Sequence, residues 1–215
     1  LVTGPPASGK TSTIYACLSK LNKPEYNIFT IEDPIKYELP GVNQASPNPD
    51  VDFTLIDCLT SVINSNPDVV MLGDCVDPEI ANTALLSSFG KILFFIRMHS
   101  NDTAVGLVSL YEMGVQPFIV ANSVVAVTSQ RLVRMLCDKC KKPFQATDDM
   151  IEGLAIPKGK YTFYQAEGCQ ECGFTGYKGT IGIFEIMVIN EQIKEAIMRR
   201  EDANQIRQIA IENGM

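Results

Sequence analysis

The sequence predicts an α/β protein, in which strands and helices alternate along the chain. Three observations lead to this class. A phosphate-binding loop lies between a short apolar run and a helix-like segment at the start of the chain. Strand-like and helix-like segments then alternate as far as about Cys137. Acidic residues follow two of the apolar runs, where ligands bind in open α/β sheets.

The loop runs from Gly4 to Thr11 and matches the pattern G-x-x-x-x-G-K-[ST]. Glycines at both ends can adopt backbone angles that side chains disfavour, so successive N–H groups can surround phosphate oxygens. Lys10 is predicted to reach the β and γ phosphates, and the Thr11 hydroxyl to ligate Mg²⁺. A chance glycine turn is the alternative, which the flanking strand and helix disfavour. The predicted nucleotide-binding residues are Gly4, Pro5, Pro6, Ala7, Ser8, Gly9, Lys10, Thr11 and Ser12.

The composition limits the classes of partner and the compartment that we expect for the chain. Its 215 residues carry a net charge of −7, so a broad basic surface for nucleic acid or an anionic membrane is excluded. We therefore expect no nucleic acid partner. Hydrophobic residues make up 46% of the chain, yet no apolar run is as long as a membrane span, which predicts a soluble globular domain. The seven cysteines are an odd number, and a nucleotide loop accompanies them, which favours a reducing compartment over disulfides.

The first acidic pair follows an apolar, β-branched run. Ile28–Ile31 is predicted to be a buried strand, and Glu32 and Asp33 come directly after it. Because ligands bind beyond the carboxyl ends of such strands, this pair is placed to face the phosphates. A solvated acidic turn is the alternative. An irregular loop is expected over 41–52, followed by a helix over 53–63.

A second apolar run, Val69–Leu72, ends close to Asp74. Phosphate-loop enzymes hold Mg²⁺ or polarise water with an acid at this position, although Asp74 could also be a plain turn residue. Asp77 reads as the cap of a helix over 79–88. A strand over 92–98 then leads to His99, the single histidine of the chain. A lone histidine is often structural, but one at a strand end can contact a γ-phosphate.

The remaining segments complete the α/β pattern. Helices are predicted over 103–113 and 117–127, and Arg131 and Arg134 follow them. These arginines contact either phosphate or an acidic neighbouring subunit, or they are ordinary surface charge. The end of the chain is predicted to hold a strand over 181–189 and amphipathic helices over 191–200 and 203–213.

The second strong motif is a set of two C-x-x-C pairs, Cys137 with Cys140 and Cys169 with Cys172. Two such pairs can form a tetrahedral thiolate site for Zn²⁺, each supplying two ligands from one tight turn. A four-cysteine site leaves no open coordination position, so the metal is predicted to be structural. A redox dithiol is the competing interpretation.

With these residues identified, nearly the whole chain resembles the C-terminal motor domain of the secretion ATPases that drive type II secretion and type IV pilus assembly. The cysteine pairs point to the assembly and export branch of this family, because retraction and conjugation-type relatives generally lack them. The matching segments are the loop Gly4–Thr11, an aspartate box over 30–37, a Walker B segment over 69–77, the end of a histidine box over 98–102, residues 129–134 and the four cysteines.

This resemblance implies a RecA-like phosphate-loop domain with a tetracysteine zinc-knuckle insertion and C-terminal helices. It implies Mg-ATP hydrolysis by a homohexamer at the cytoplasmic face of a bacterial inner membrane, acting on pilin or pseudopilin subunits through an inner-membrane platform protein. Carried over by residue, Glu32 positions or activates water, Asp74 stands at the Walker B acid, and His99 at the second histidine of its box. The implied cofactors are ATP, Mg²⁺ and Zn²⁺. The predicted divisions are a nucleotide-binding core over 1–136, a zinc subdomain over 137–172 and a completing segment over 173–215.

Departures from the family pattern suggest a second possible function for this chain. The family's Walker B glutamate is an aspartate here, and its arginine is missing from 73–77. Thr60 and Asn64 replace two further arginines, Ile92 replaces the first histidine of the histidine box, and Arg97 and Met98 precede His99 in place of the usual Thr-Leu. Arginines that neutralise phosphate charge can be worth orders of magnitude in rate. The chain is therefore predicted to be either a working motor or a catalytically weakened nucleotide-binding relative with a structural or regulatory role.

Overall fold

A computed structural model describes residues 1–74, 77–153 and 161–215, without the side chains of 148, 149 and 152. Cys75 and Val76, which belong to the predicted Walker B segment, lie outside the described residues. The chain divides into two compact units, one of residues 1–131 with 183–215 and one of residues 132–182. The boundaries predicted from the sequence at 136 and 172 stay a prediction.

The described residues include a seven-stranded sheet, which consists of β1 (Val2–Thr3), β2 (Ile28–Ile31), β3 (Asn43–Ala45), β4 (Val69–Asp74), β5 (Leu93–Arg97), β6 (Ala126–Leu136) and β9 (Tyr177–Val188). The order of the strands in the sheet is β3-β2-β4-β5-β1-β6-β9. The pairs formed by β1 with β5 and β6, by β2 with β3 and β4, and by β4 with β5 are parallel.

Helices lie in most of the connections between these strands, whereas residues 32–42 join β2 to β3 without a helix. α1 begins directly after the phosphate-binding loop, and α2 starts with a capping box in which Thr54 and Asp57 satisfy each other's backbone N–H groups. Asp77 caps α3, and Asp102 caps α4. The helices of the larger unit are α1 (Lys10–Leu21), α2 (Leu55–Asn64), α3 (Pro78–Ser88), α4 (Thr103–Glu112), α5 (Pro117–Ser123), α7 (Glu191–Met198) and α8 (Ala203–Glu212).

Strand β4 shows why the apolar runs of this sequence lack a polar alternation. Val69 and Met71 pack in a core cluster with Ile14 and Leu18 of α1. The intervening Val70 and Leu72 belong to a second cluster, which also contains α2, α3, α4 and the C-terminal helices. Because alternate side chains of a strand point to opposite faces, β4 is covered on both sides and is apolar throughout.

The predicted α/β class is confirmed, and the predicted element positions agree with the structure to within about two residues at most boundaries. Three segments differ, and one of them is the last strand, which begins at Tyr177 rather than at the predicted residue 181. The helix predicted over 117–127 ends at Ser123, and β6 begins at Ala126, because the β-branched residues from Val124 onward suit a strand. The loop predicted over 41–52 contains the short strand β3 and a 3₁₀ turn at Pro49–Val51, which a polar sequence did not indicate.

The smaller unit contains the two cysteine pairs. Strands β7 (Lys142–Phe144) and β8 (Phe163–Gln165) form an antiparallel pair, α6 covers Asp148–Gly153, and a 3₁₀ turn covers Gln170–Cys172. The guanidinium of Arg134 stacks on the ring of Tyr177 at 3.8 Å. Arg134 therefore has a role that neither alternative for the arginine pair anticipated. No helix within the described residues combines the length and the apolar character that crossing a bilayer requires.

Candidate functional site

The phosphate-binding loop takes the backbone shape that its glycines allow. Gly9 has a φ of +88° and directly precedes α1, so the first N–H groups of the helix face the loop. Gly4 has a φ of +142°, and a Cβ at this position would lie 2.5 Å from the Gln130 carbonyl oxygen. The amide of Gln130 in turn donates to the Ser8 carbonyl at 2.7 Å. The loop is thus held against β6.

Lys10 is folded back onto this loop. Its ammonium donates to the carbonyl oxygens of Gly4 at 2.7 Å and Pro5 at 2.9 Å, and lies 3.3 Å from Nδ1 of His99. The residue is only 5% exposed. Burial lowers the pKa of Lys10, an effect that Asp74 opposes and Arg97 reinforces. A phosphate group in the loop would restore the charge partner that this ammonium lacks.

Strands β4 and β5 bring Asp74 and Arg97 together. Their register is regular as far as Leu72 opposite Ile96, then shifts so that Asp74 pairs with Arg97, which leaves Gly73 as the extra residue of a bulge. The guanidinium donates from Nε to Oδ1 at 2.8 Å and from Nη2 to Oδ2 at 3.1 Å. This is a bidentate, charge-assisted pair, the strongest form of carboxylate recognition by a side chain.

The same guanidinium donates from Nη1 to Oγ1 of Thr11 at 2.7 Å. A threonine hydroxyl and an aspartate are the oxygen donors that phosphate-loop proteins give to Mg²⁺. These are the donor types that Mg²⁺ takes, but in this arrangement both groups accept hydrogen bonds from Arg97, whose permanent positive charge faces any cation placed beside them. The assignment of Thr11 as a magnesium ligand stays a prediction.

His99 completes the cluster at the end of β5. Its Nδ1 faces Lys10, and its Nε2 lies 3.4 Å from Oδ1 of Asp74. The side chain is 45% exposed. The imidazole therefore links the loop lysine to the acid of β4, and it borders the open cavity rather than the core.

Glu32 is placed differently from the other predicted catalytic residues. It is 2% exposed, and both of its carboxylate oxygens accept a hydrogen bond from the Tyr15 hydroxyl, at 2.7 and 2.9 Å. Burial, followed by these bonds to Glu32, raises the pKa of Tyr15 to about 12. A Cβ on Gly73 would lie 3.7 Å from the Cα of Glu32 and 3.8 Å from Nη2 of Arg97, so the Glu32 backbone flanks the cluster while its carboxylate is held by Tyr15.

A cavity of about 530 Å³ opens over these residues. Within the described residues, its lining includes the predicted Asp74, His99 and the loop from Pro6 to Ser12, but neither Glu32 nor the first two loop residues, Gly4 and Pro5. Sequence reasoning did not assign Lys36, Tyr37 or Arg97 to the site, although all three line the cavity. A basic residue at the end of β5, next to a strand ending in an acid, is the signal that could have identified Arg97.

The four cysteines lie together in the smaller unit. Their sulfur atoms all lie within 4.8 Å of one another. Sγ of Cys137 lies 3.9 Å from that of Cys169, and Sγ of Cys172 lies 3.9 Å from Cys140 and 3.8 Å from Cys169. A regular tetrahedron of thiolates around Zn²⁺ has edges of about 3.8 Å, given a Zn–S distance of about 2.3 Å. The cluster is therefore compatible with a zinc knuckle.

Backbone groups differentiate the four thiols. N–H groups of Cys169 and Gly176 donate to Sγ of Cys172, both at 3.2 Å. The Cys169 N–H is the largest cause that lowers the pKa of Cys172 to about 6. Burial raises the pKa of Cys140 to about 11. A cation among the four sulfurs would favour the thiolate form of all of them, which is the form that ligates metal.

Comparison with known proteins identifies the family of the chain. A family model described as type II/IV secretion system protein matches residues 1–214. The chain belongs to this family. Type II secretion system protein E of Dickeya dadantii is 40% identical over 201 residues, covering 94% of this chain and 40% of that protein. The corresponding protein of Klebsiella pneumoniae is 43% identical over 202 residues, covering 94% and 40%. The type IV pilus assembly ATPase PilB of Thermus thermophilus is 36% identical over 218 residues, covering 100% and 24%.

Two similar solved structures agree with this fold. The ADP-bound pilus retraction motor PilT superposes with a TM-score of 0.68 at 22% identity, covering 97% of this chain and 51% of that one. The ATPase DotB of Legionella pneumophila superposes with a TM-score of 0.65 at 15% identity, covering 98% and 50%. The predicted family and fold are confirmed. The chain spans less than half the length of these sequence relatives.

Proposed function

We propose that this chain is the ATP-binding and ATP-hydrolysing motor domain of an ATPase that powers type IV pilus assembly or type II secretion. The observation that supports it best is the cavity in which the phosphate-binding loop, Lys10, Asp74 and His99 converge. Loop N–H groups and Lys10 bind the phosphates, and His99 contacts the terminal one. Two relatives are named as a type II secretion system protein and a type IV pilus assembly ATPase, which supports this role.

In this proposal the domain acts within a homohexamer on the cytoplasmic face of a bacterial inner membrane. An inner-membrane platform protein transmits its motion to pilin or pseudopilin subunits, and the chain is peripheral to the membrane through these partners. The smaller unit holds a structural Zn²⁺ on Cys137, Cys140, Cys169 and Cys172. The metal would cross-link two turns whose own apolar content is low.

A second function, that of a nucleotide-binding structural or regulatory relative, is favoured by one observation. Asp74, the acid at the Walker B position, is already paired with Arg97, and Glu32 is held by Tyr15. Neither carboxylate is free to polarise an attacking water in this arrangement. A domain built this way binds ATP better than it hydrolyses it.

Single-turnover ATP hydrolysis by the full-length protein distinguishes the two functions. We expect measurable turnover in the wild type, and a decrease of about 100-fold in Glu32→Gln with ATP affinity preserved, since a water-activating carboxylate contributes at least that much. Glu25→Gln, an exposed glutamate outside the cavity, is the matched control. Tight ATP binding without turnover in the wild type would support the second function, and absence of ATP binding would exclude both.

A further inference from the structure

Arg97 lies between the Asp74 carboxylate and the Thr11 hydroxyl, and it donates hydrogen bonds to both. Three of its five N–H groups donate to Asp74 and Thr11, and its side chain is only 12% exposed. A guanidinium has no acceptor and does not lose its proton in proteins. The cation is therefore permanent, and it is bonded to the hydroxyl and the carboxylate that a nucleotide-bound Mg²⁺ would otherwise share.

The backbone fixes this arrangement. The bulge at Gly73 sets Asp74 opposite Arg97, and β1 pairs with the same residue through Val2, so Arg97 is held between neighbouring parallel strands. Any side chain at position 73 would meet the Ile31 carbonyl oxygen at 3.1 Å. The ion pair is thus a product of sheet register rather than of two flexible surface side chains.

The guanidinium also faces the phosphate site. Arg97 lines the same cavity as Lys10 and the loop, and two of its N–H groups are not used by the bonds to Asp74 and Thr11. Arginine presents its donors in a planar fork that suits phosphate oxygens. Adding Mg²⁺ beside this cation would place two positive centres on one carboxylate, which the like-charge repulsion between them disfavours.

We propose that Arg97 takes the place of the divalent cation, so that this domain binds nucleoside triphosphate independently of Mg²⁺. The inference rests on the proposed nucleotide site and adds a residue to it. Arg97 neutralises Asp74 on one side and contacts the triphosphate on the other, a role that Mg²⁺ fills in other phosphate-loop proteins.

The first test needs no substitution. ATP binding to the full-length protein is measured by titration calorimetry in excess MgCl₂ and in excess EDTA. We expect the two dissociation constants to agree within about threefold. A dissociation constant that rises by more than about threefold in EDTA overturns the inference. Absence of binding in both conditions overturns the proposed nucleotide site itself, so the two failures are distinguishable.

The second test asks whether ATP binding becomes dependent on Mg²⁺ when Arg97 is removed. Arg97→Thr removes the guanidinium and introduces the residue that the family pattern has at this position. We expect ATP binding in EDTA to weaken by about tenfold or more, and MgCl₂ to restore it. Arg199→Thr, which removes an exposed arginine at the end of α7 and outside the cavity, is the matched control and should bind equally in both conditions.

Each result of the second test is decisive. An Arg97→Thr protein that binds ATP equally well with EDTA and with MgCl₂ contradicts a role for Arg97 in replacing the metal. If this variant does not fold, which circular dichroism shows, the comparison of wild-type protein in MgCl₂ and EDTA decides the inference alone.

Discussion

The nucleotide cavity and the cysteine cluster are assembled in different ways. The cavity takes its charged side chains from the start of α1, from the segment after β2 and from the ends of β4 and β5, which are far apart along the chain. The cluster takes its four sulfurs from two C-x-x-C turns, each of which brings its own pair together locally. The register of the strands determines which side chains meet in the cavity. In the cluster, the spacing within each C-x-x-C turn brings two cysteines together, and the fold brings the two pairs together.

This difference determines how each region responds to change. The loop of the cavity is held by hydrogen bonds to β6, such as that from the Gln130 side-chain amide to the Ser8 carbonyl. In the cluster, the Zn²⁺ that we propose would join the two cysteine pairs. Loss of the metal should therefore disturb the cluster more than loss of a nucleotide disturbs the cavity.

The largest effect is expected from removal of the metal. Cys172→Ser, or treatment with a strong chelator, should release the bound zinc and unfold the turns that carry the four cysteines, because the metal joins the two pairs. Zinc content is measured by atomic absorption, and unfolding by hydrogen exchange. Cys17→Ser, outside the cluster, is the control. ATP affinity should change by less than about threefold. A Cys172→Ser protein that keeps its zinc, or a purified wild-type protein that contains no zinc, would contradict the proposed metal site.

Loss of the loop ammonium should give the next largest effect. Lys10→Ala is expected to weaken ATP binding by about 100-fold, equivalent to about 2.7 kcal/mol, since charge-assisted bonds to phosphate are lost. Lys20→Ala changes an exposed lysine of the same helix and should leave affinity unchanged. Equal affinities for the two variants, measured by titration calorimetry, would mean that phosphate does not bind at this loop.

Gly4→Ala tests the close contact between the phosphate-binding loop and β6. The new methyl group would lie 2.5 Å from the Gln130 carbonyl oxygen, at a φ of +142°. We expect a loss of about 3 kcal/mol in the free energy of unfolding, from clash and backbone strain together. Gly114→Ala, with a φ of +97° and open space around it, isolates the strain and should cost about 1 kcal/mol. Urea denaturation of both variants measures the difference, and equal costs would contradict the close contact.

Tyr15→Phe sharpens the contrast between Glu32 and the exposed acids of the cavity. Removing the hydroxyl leaves the buried carboxylate without its partner and should cost about 2 kcal/mol of unfolding free energy. Tyr26→Phe, at an exposed position, should have no effect. Urea denaturation curves provide the measurement, and an unchanged midpoint for Tyr15→Phe would disprove the Glu32 contact.

The same tyrosine predicts a dependence on pH. Its pKa is raised from 10.0 to about 12, so the folded state retains the phenol proton longer than the unfolded chain does. This contribution to stability is present below pH 10.0 and is lost as pH rises through about 12. The decrease over this window should be smaller in Tyr15→Phe, while Tyr111, whose pKa burial also raises to about 12, maintains part of it. Identical slopes in the variant and the wild type would contradict the assignment.

The sequence alone determined the elements and the ligand types. The loop from Gly4 to Thr11, the apolar strand Ile28–Ile31 and the cysteine pairs could be predicted, because local spacing specifies turns and because strands buried on both faces are apolar throughout. Only the tertiary structure decided that Asp74 pairs with Arg97 and that Glu32 turns toward Tyr15. Those contacts depend on the order of the strands and on a one-residue bulge, and strand pairing joins residues that no local pattern connects.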